Sequence, residues 1–429
     1  MSSLYLKSPL SIELTLTRKC NHKCVHCYNP WRNEEQVEKN IITKRQIDFI
    51  VNELKQNDVW HVTISGGEPL IESEKMFYLI EQLNKADITY SINTNLTLMD
   101  NNKADILLKK YNHKTLFLTS LPSSIPKICD KITQIDGSFD RIIHGINVCK
   151  SHGFKVGINM VMTKINIDNL DHLYKFLKEY KIDYLSISLV IPPSYDINNN
   201  NYYLTENDII KMANSLIKFH DELGIDVDSV TPIPLCVLKD INKYKSIFST
   251  SCSAGISRCN IDCVGNVFAC SHEVKPYGNI FDLGLKKIWD NMTKWRNFEN
   301  LNEECRQCKY LSICGGECRM MTACLGKQKY KLDKDAIECG FNNDVVINID
   351  YDQKFILNKN IKIRTEEFGA VIRIGYDDYF LSSLMFELYK HLTKIEIFSI
   401  NDLKNIVVID SNFLEVFYYF IEIGLILLK

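Results

Sequence analysis

Residues 13–30 read ELTLTRKCNHKCVHCYNP. The first five, Glu13 to Thr17, alternate apolar with polar side chains and include two β-branched threonines, the pattern of a half-buried strand. Polar residues follow at once, and among them stand Cys20, Cys24 and Cys27. A strand ending in a loop with three thiols puts those thiols at its C-terminal end, where parallel α/β sheets keep their chemistry. Three converging thiolates can hold three corners of an iron–sulfur cube and leave the fourth iron open to a small molecule. From this motif alone, a zinc knuckle completed by His22 or His26 competes with that reading.

Further along, strand-like runs alternate with helical patterns. The strand runs are WHVTIS at 60–65, ITYSIN at 88–93, TLFLTS at 115–120, KVGINMVM at 155–162 and YLSISLV at 184–190, six with the first. Between them, Thr43 to Gln56 carries Ile47, Ile50, Val51 and Leu54 on one helical face, and Glu74 to Lys85 carries Phe77, Ile80 and Leu83. Strand and helix in alternation predict a parallel sheet, and six units predict an open partial (β/α)6 TIM-like barrel with its substrate mouth at the strands' C-terminal ends. The second strand ends in Ser65-Gly66-Gly67-Glu68-Pro69, where glycines let backbone approach a ligand and Glu68 can accept from an ammonium group.

Composition sets the frame. The chain has 429 residues, 45% hydrophobic and 24% charged, with 51 Lys+Arg against 53 Asp+Glu. This balance suits a multidomain globular protein, and it speaks against disorder and against a polybasic nucleic-acid surface. The N-terminus MSSLYLKSPLSIEL lacks a basic n-region and an apolar h-region, so a cytoplasmic protein is expected. The most apolar stretch, Phe413 to Leu428, contains Glu415 and Glu422 and falls short of the ~20 residues a membrane helix needs. Three domains are expected: 1–235 as the barrel, 236–345 as a cysteine-rich region stapled by metal, and 346–429 as a small α+β module of winged-helix type.

Together the three-cysteine loop and the GGE turn resemble the radical S-adenosylmethionine (radical SAM) superfamily. The resemblance implies that Cys20, Cys24 and Cys27 bind a 4Fe–4S cluster whose open iron is chelated by the methionine part of S-adenosyl-L-methionine. It places Tyr28 beside the cluster and Gly66, Gly67 and Glu68 at the methionine ammonium. Asn93 and Asn95, in SINTNLT, match positions facing the cosubstrate ribose, with local capping as the alternative. The implied chemistry is one-electron cleavage of the sulfonium to a deoxyadenosyl radical that abstracts hydrogen from a substrate, with a flavodoxin- or ferredoxin-type donor supplying the electron. Arg141, in a segment resembling the same superfamily, is read either as functional or as a salt-bridging residue.

The sixteen cysteines also form a second array: Cys252, then Gly265 and Cys270, then Cys305-x2-Cys308-x5-Cys314-x3-Cys318, and Cys339. This resembles the SPASM extension, which carries two auxiliary 4Fe–4S clusters and would bring the total to three. The resemblance implies that Cys252, Cys259, Cys270 and Cys318 bind the first and Cys305, Cys308, Cys314 and Cys339 the second. Cys263 competes with Cys259, and Cys324 with Cys339. Cys129, Cys149 and Cys236 are expected to be buried thiols. Relatives that oxidise a sulfatase residue carry Asp directly after the cysteine matching Cys270; here Ser271 and His272 follow, which argues against that activity unless His272 serves as base.

In 354–429, IKIRTEEFGAVIRI followed by three helical patterns, with the motif Arg364-x-Glu366-x-Phe368-Gly369, resembles the peptide-recognition fold of the pyrroloquinoline-quinone chaperone family. That fold takes up a leader peptide as an added strand. The expected function is a maturase that forms an oxidative cross-link (thioether, C–C or C–O) in a ribosomally made precursor peptide. The alternatives are a sulfatase or quinohemoprotein maturase, a peptide epimerase, and a zinc-stapled peptide-binding protein without catalysis. Neither nucleic acid nor membrane is expected as a partner.

Overall fold

The computed structural model describes residues 5–29, 42–111, 115–191, 202–238, 243–244, 247, 252–321, 350–375, 377–404 and 407–429. Cys324 and Cys339 lie outside the described residues. The chain divides into two compact units, Ser8–Gly340 and the C-terminal Phe341–Lys429 joined by Met1–Lys7.

In the larger unit, β1 (Ser11–Thr15), β2 (His61–Ser65), β3 (Thr89–Thr94), β4 (Leu116–Ser120), β5 (Lys155–Met162), β6 (Tyr184–Leu189) and β7 (Asp226–Ser229) run in parallel and in sequential order. The connections carry α1 (Lys44–Gln56), α2 (Ser73–Lys85), α3 (Asn101–Tyr111), α4 (Pro126–Thr133), α5 (Ser138–Ser151), α6 (Leu170–Tyr180) and α7 (Glu206–Leu223). This is the partial (β/α) barrel expected, with the six expected strands found to within two residues. β7 is additional; its sequence, Asp-Val-Asp-Ser, offers one apolar residue in four and no readable period.

Burial alternates as the pleat requires: Ile12, Leu14, Val62, Ile64, Tyr90 and Ile92 are buried, while Glu13, Thr63, Ser91 and Asn93 are partly open. The helices present matching stripes. On α1 the buried residues are Ile47, Ile50, Val51 and Leu54, and Thr43 closes a capping box with Gln46. On α2 they are Met76, Leu79, Ile80 and Leu83, so the stripe centres one residue before Phe77.

The cysteine-rich segment continues the same sheet. β8 (Arg258–Ile261) pairs in parallel with β1, matching Cys259 to Ile12, and β9 (Asn266–Phe268) and β10 (Gly278–Asn279) follow antiparallel. Gly265 makes the β8–β9 turn at φ +89°, and a β-carbon there would run into the Phe281 ring.

The C-terminal unit holds a three-stranded antiparallel sheet of β11 (Ile361–Glu366), β12 (Gly369–Ile374) and β13 (Asp377–Ser382). Helices α8 (Ser383–Leu392) and α9 (Ser411–Glu422) follow, capped by Ser382 and Asp410. A two-stranded pair joins 355–357 to 426–428. Its core includes Phe355, Phe398, Phe417, Phe420, Ile372, Leu381 and Leu392. Among the described residues no helix is long and apolar enough to cross a membrane.

Candidate functional site

β1 ends at Thr15, earlier than the alternation suggests, because the chain turns to meet the loop after β2. Leu16 N donates to Ser65 O at 2.8 Å, Gly67 N to Thr17 O at 2.7 Å and Glu68 N to Lys19 O at 2.7 Å. The segment leading into Cys20 is thus laced to the Gly66-Gly67-Glu68 turn by backbone bonds. Only glycine allows this approach: a β-carbon on Gly66 would lie 2.7 Å from Thr17 O, and one on Gly67 2.5 Å from the Lys19 carbonyl carbon and 2.8 Å from Arg18 O. Beyond Cys20, Lys23 N and Val25 N donate to the Thr133 and Ile132 carbonyls at the end of α4.

These loops enclose a cavity of about 900 Å³ at the strands' C-terminal ends. Its wall includes Cys20, Cys24, Cys27, Tyr28, Gly66, Gly67, Glu68, Asn93 and Asn95, so every residue expected at the first cluster and its cosubstrate comes together there. Asn159 and Ser120 join them from β5 and β4.

Glu68 is 1% exposed. Its Oε1 accepts from Leu70 N at 2.9 Å and Thr94 Oγ1 at 2.6 Å, and its Oε2 from Asn95 N at 2.7 Å. Burial pushes its carboxyl up to about 7 against the pull of those three donors. Asn95 is occupied as well: Oδ1 accepts from Thr97 N and Oγ1, and Nδ2 donates to Asn21 Oδ1 at 2.9 Å. The local-capping alternative thus describes this side chain, which also ties the cysteine loop to β3. His22 Nε2 is buried without a partner among the described residues, and burial with Arg141 nearby depresses the imidazole to about 4. Arg141 itself donates to the Asp136 carbonyl at 3.0 Å.

Tyr28 connects the two cysteine arrays. Its ring stacks on His272 with centroids 3.9 Å apart, Ser271 hydrogen-bonds its hydroxyl, and His272 Nδ1 lies 3.7 Å from Cys270 Sγ. Burial and the Glu13 charge raise the phenol, and burial depresses His272 to about 4, so both rings are neutral at neutral pH. Sequence reasoning named both residues but had no signal for their contact.

In the second array, Cys252, Cys270 and Cys318 are electrostatic neighbours of one another. Glu273 braces the turn, its Oε2 accepting from Ala269 N and Cys270 N and its Oε1 from Trp295 Nε1. The charged neighbours of Cys259 are Arg258 and Arg296, and those of Cys263 are Asp262 and Arg18. Cys305, bonded through its N–H to the capping Asn302 Oδ1 at 2.7 Å, groups with Cys314 and with a thiol the spacing did not include. Cys236, on the turn Leu235–Leu238, has Cys314, Cys305 and Cys308 as neighbours, and burial with those charges pushes it up to about 12. A lone cysteine outside the spaced array gives no sequence signal of this kind. Cys129 and Cys149 are fully buried, as expected.

The residues fit iron–sulfur clusters. Among the described residues no three His, Cys, Asp or Glu side chains close on one point tightly enough for a single ion. Yet thiols are grouped around shared spaces, as ligands on separate corners of a cube must be. The cavity that holds the first three also has room for a cosubstrate.

Comparison with known proteins agrees. Residues 14–177 match the radical SAM superfamily model, and residues 252–309 match SPASM, an iron–sulfur cluster-binding domain. The chain thus carries a radical SAM domain and a SPASM domain, and is an enzyme. More particularly, it is of the SPASM-bearing kind, and its two domains imply 4Fe–4S clusters and S-adenosylmethionine. Curated relatives include the AdoMet-dependent heme synthase of Methanosarcina barkeri, 22% identical over 73% of this chain and 91% of that one. The mycofactocin maturase MftC of Mycolicibacterium smegmatis is 25% identical over 73% and 79%. The cysteine-type anaerobic sulfatase-maturating enzyme of Clostridium perfringens is 23% identical over 70% and 86%. Among solved structures, Streptococcus suis SuiB bound to precursor peptide SuiA shares the fold, with a TM-score of 0.60 and 20% identity over 78% of this chain and 77% of that one.

Proposed function

We propose that the protein is a peptide maturase that installs an oxidative cross-link in a ribosomally made precursor. The observation carrying this reading is the single cavity where the cysteine loop, the GGE turn and Asn93 meet, joined through Tyr28 and His272 to a second thiol group at Cys270. Cys20, Cys24 and Cys27 would hold the catalytic cluster, with Gly66, Gly67, Glu68, Asn93 and Asn95 around the cosubstrate. When bound, the pair supplies a deoxyadenosyl radical that takes hydrogen from the substrate.

The chain's own part is to position and to shield. Gly66 and Gly67 bring backbone to the cavity wall, Glu68 fixes the turn, and Tyr28 with His272 closes one side with neutral rings that offer a radical no charged group. The other thiols would hold two auxiliary clusters, three in all, with Cys252, Cys259, Cys270 and Cys318 on one and Cys305, Cys308 and Cys314 on the other. Cys339 is the fourth ligand that the resemblance implies, and the grouping of Cys236 supports it as a rival. Two fully ligated clusters offer an exit for the electron an oxidative cross-link releases, which redox-neutral epimerisation does not need.

The segments 1–235, 236–345 and 346–429 would divide this work as barrel, electron exit and leader binding, with electrons entering from a flavodoxin or ferredoxin. The three-stranded sheet of the C-terminal unit, with β11 at one edge, supports uptake of a leader by strand addition. The names of the mycofactocin and sulfatase maturases and the peptide-bound SuiB support maturation as the class of reaction. Ser271, in place of an acid, weighs against the sulfatase version.

The test is anaerobic incubation of the reconstituted chain, cosubstrate and reductant with any small peptide found to be encoded beside its gene. A mass loss of two hydrogens supports the cross-link, while no mass change in ordinary water, with one deuterium gained at an α-carbon in heavy water, supports epimerisation. Stoichiometric zinc in place of about twelve irons would leave only a non-catalytic binding protein.

A further inference from the structure

Arg319 follows Cys318 directly and is 1% exposed. Arginine is buried to this degree almost only when its charge is answered. Nη1 donates to the Trp295 carbonyl at 2.6 Å, and the guanidinium lies over the rings of Trp295 and Phe298, 5.3 Å and 4.9 Å from their centroids. Nε and Nη2 are buried and meet no acceptor among the described residues. The titratable groups that couple to it electrostatically are the Cys252 and Cys318 thiols. Two acids lie next to the same thiols: Glu273 is engaged by Ala269 N, Cys270 N and Trp295 Nε1, and Glu317 accepts from Asn302 Nδ2 at 3.0 Å. The neighbouring Arg296 shows the contrast: its Nε and Nη2 donate to the Gly255 and Trp289 carbonyls. Arg319 alone of the two keeps donors in reserve at the thiol group.

We infer that Arg319 is the built-in charge partner of the first auxiliary cluster, its Nε–H and Nη2–H groups donating to sulfurs of the cube held by Cys252, Cys270 and Cys318. This rests on the reading of those thiols as cluster ligands. A cube bound by thiolates is anionic and gains one more negative charge on reduction. A fixed buried cation with N–H···S bonds therefore favours the reduced form and raises the potential. The same cation accounts for its own burial, because the cluster is the anion its side chain lacks. Arg319 thereby sets how readily this cluster accepts an electron from the substrate side. It is a positioning and tuning residue rather than a catalytic one.

The experiment compares the anaerobically reconstituted full chain with Arg319→Lys and Arg319→Met. It reads iron per chain and the midpoint potential of each cluster by EPR-monitored titration. The inference expects Arg319→Met to lower one auxiliary potential, or to lose that cluster, while the S-adenosylmethionine-responsive signal of the first cluster is kept; Arg319→Lys falls between. Unchanged potentials at full iron loading in Arg319→Met would overturn it. Wild-type protein labelled with 15N in the arginine guanidinium serves as a second readout that needs no variant. A 15N hyperfine coupling on a reduced auxiliary cluster, lost in Arg319→Lys, is expected, and its absence from wild type would overturn the inference. The underlying reading fails separately, if Cys270→Ala costs the wild-type complement no iron.

Discussion

Gly67→Ala tests the architecture of the first site at one atom. The added β-carbon would run into Lys19 O and sit 2.5 Å from the Lys19 carbonyl carbon and 2.8 Å from Arg18 O, where ordinary contact begins at 3.4 Å, so the segment entering Cys20 must move by about 1 Å or slightly more. Backbone on both sides leaves no flexible side chain to absorb the shift. The movement also strains the bonds from Gly67 N to Thr17 O and from Glu68 N to Lys19 O. Overpacking of this kind costs about 1–3 kcal/mol, and weakening two backbone bonds adds about 1–2 kcal/mol. The thiol loop therefore shifts by about an ångström relative to the GGE turn, a misplacement of the order that costs about 10²-fold in rate. The assay is S-adenosylmethionine cleavage by the reconstituted, dithionite-reduced chain, with thermal unfolding alongside. Cleavage falling about 100-fold is expected, with Gly66→Ala, whose contact is 2.7 Å, less affected. Wild-type cleavage and an unchanged unfolding midpoint in Gly67→Ala would refute the reasoning.

Other expectations follow from particular side chains. Glu68, pushed up to about 7 by burial, has a folded value above the ordinary carboxyl range; its contribution to stability is full below about 4.5 and is lost as pH rises through about 7. Urea unfolding at pH 5.5 and pH 8 should show wild type losing stability relative to Glu68→Gln as pH rises; a pH-independent difference would contradict this. Cys24→Ala should abolish cosubstrate cleavage, whereas Cys314→Ala should spare uncoupled cleavage, and equal loss in both would remove the division of labour. If Cys236 is the fourth ligand of that second auxiliary cluster, Cys236→Ser alters its EPR signal and Cys339→Ser does not, and the reverse pattern assigns the ligand to Cys339. In the C-terminal unit Arg364 and Glu366 form an ion pair at 2.5 Å, each side chain 1% exposed. Glu366→Ala removes the carboxylate paired with a buried guanidinium and should cost about 3–5 kcal/mol, lowering that unit's unfolding midpoint; a change under about 1 kcal/mol would show the pair to be dispensable.

The barrel was legible because its strands are dominated by β-branched and aliphatic residues at period two, and its helices carry plain apolar stripes. The thiol loop and GGE turn were legible as a pair, since both end neighbouring strands. β7 escaped because Asp226, Asp228 and Ser229 leave Val227 as its sole apolar residue. β8 escaped because Cys259 and Asn260 interrupt its aliphatic pattern, so nothing announced that the cysteine-rich segment would extend the barrel sheet through β1. What stayed hidden was long-range: Tyr28 against His272, Cys236 beside Cys305, and Arg319 with idle donors each depend on packing between distant segments. The motif Arg364-x-Glu366 reads in the structure as a buried ion pair, because period two in β11 puts both side chains on the inner face.

The account turns on whether Cys20, Cys24 and Cys27 hold a cluster that S-adenosylmethionine grips. The direct measurement is low-temperature EPR of the anaerobically reduced Cys252→Ala, Cys305→Ala double variant, which isolates that centre, with and without the nucleotide. A shift of its g values on addition is predicted. A spectrum that stays the same at saturating nucleotide would contradict the account.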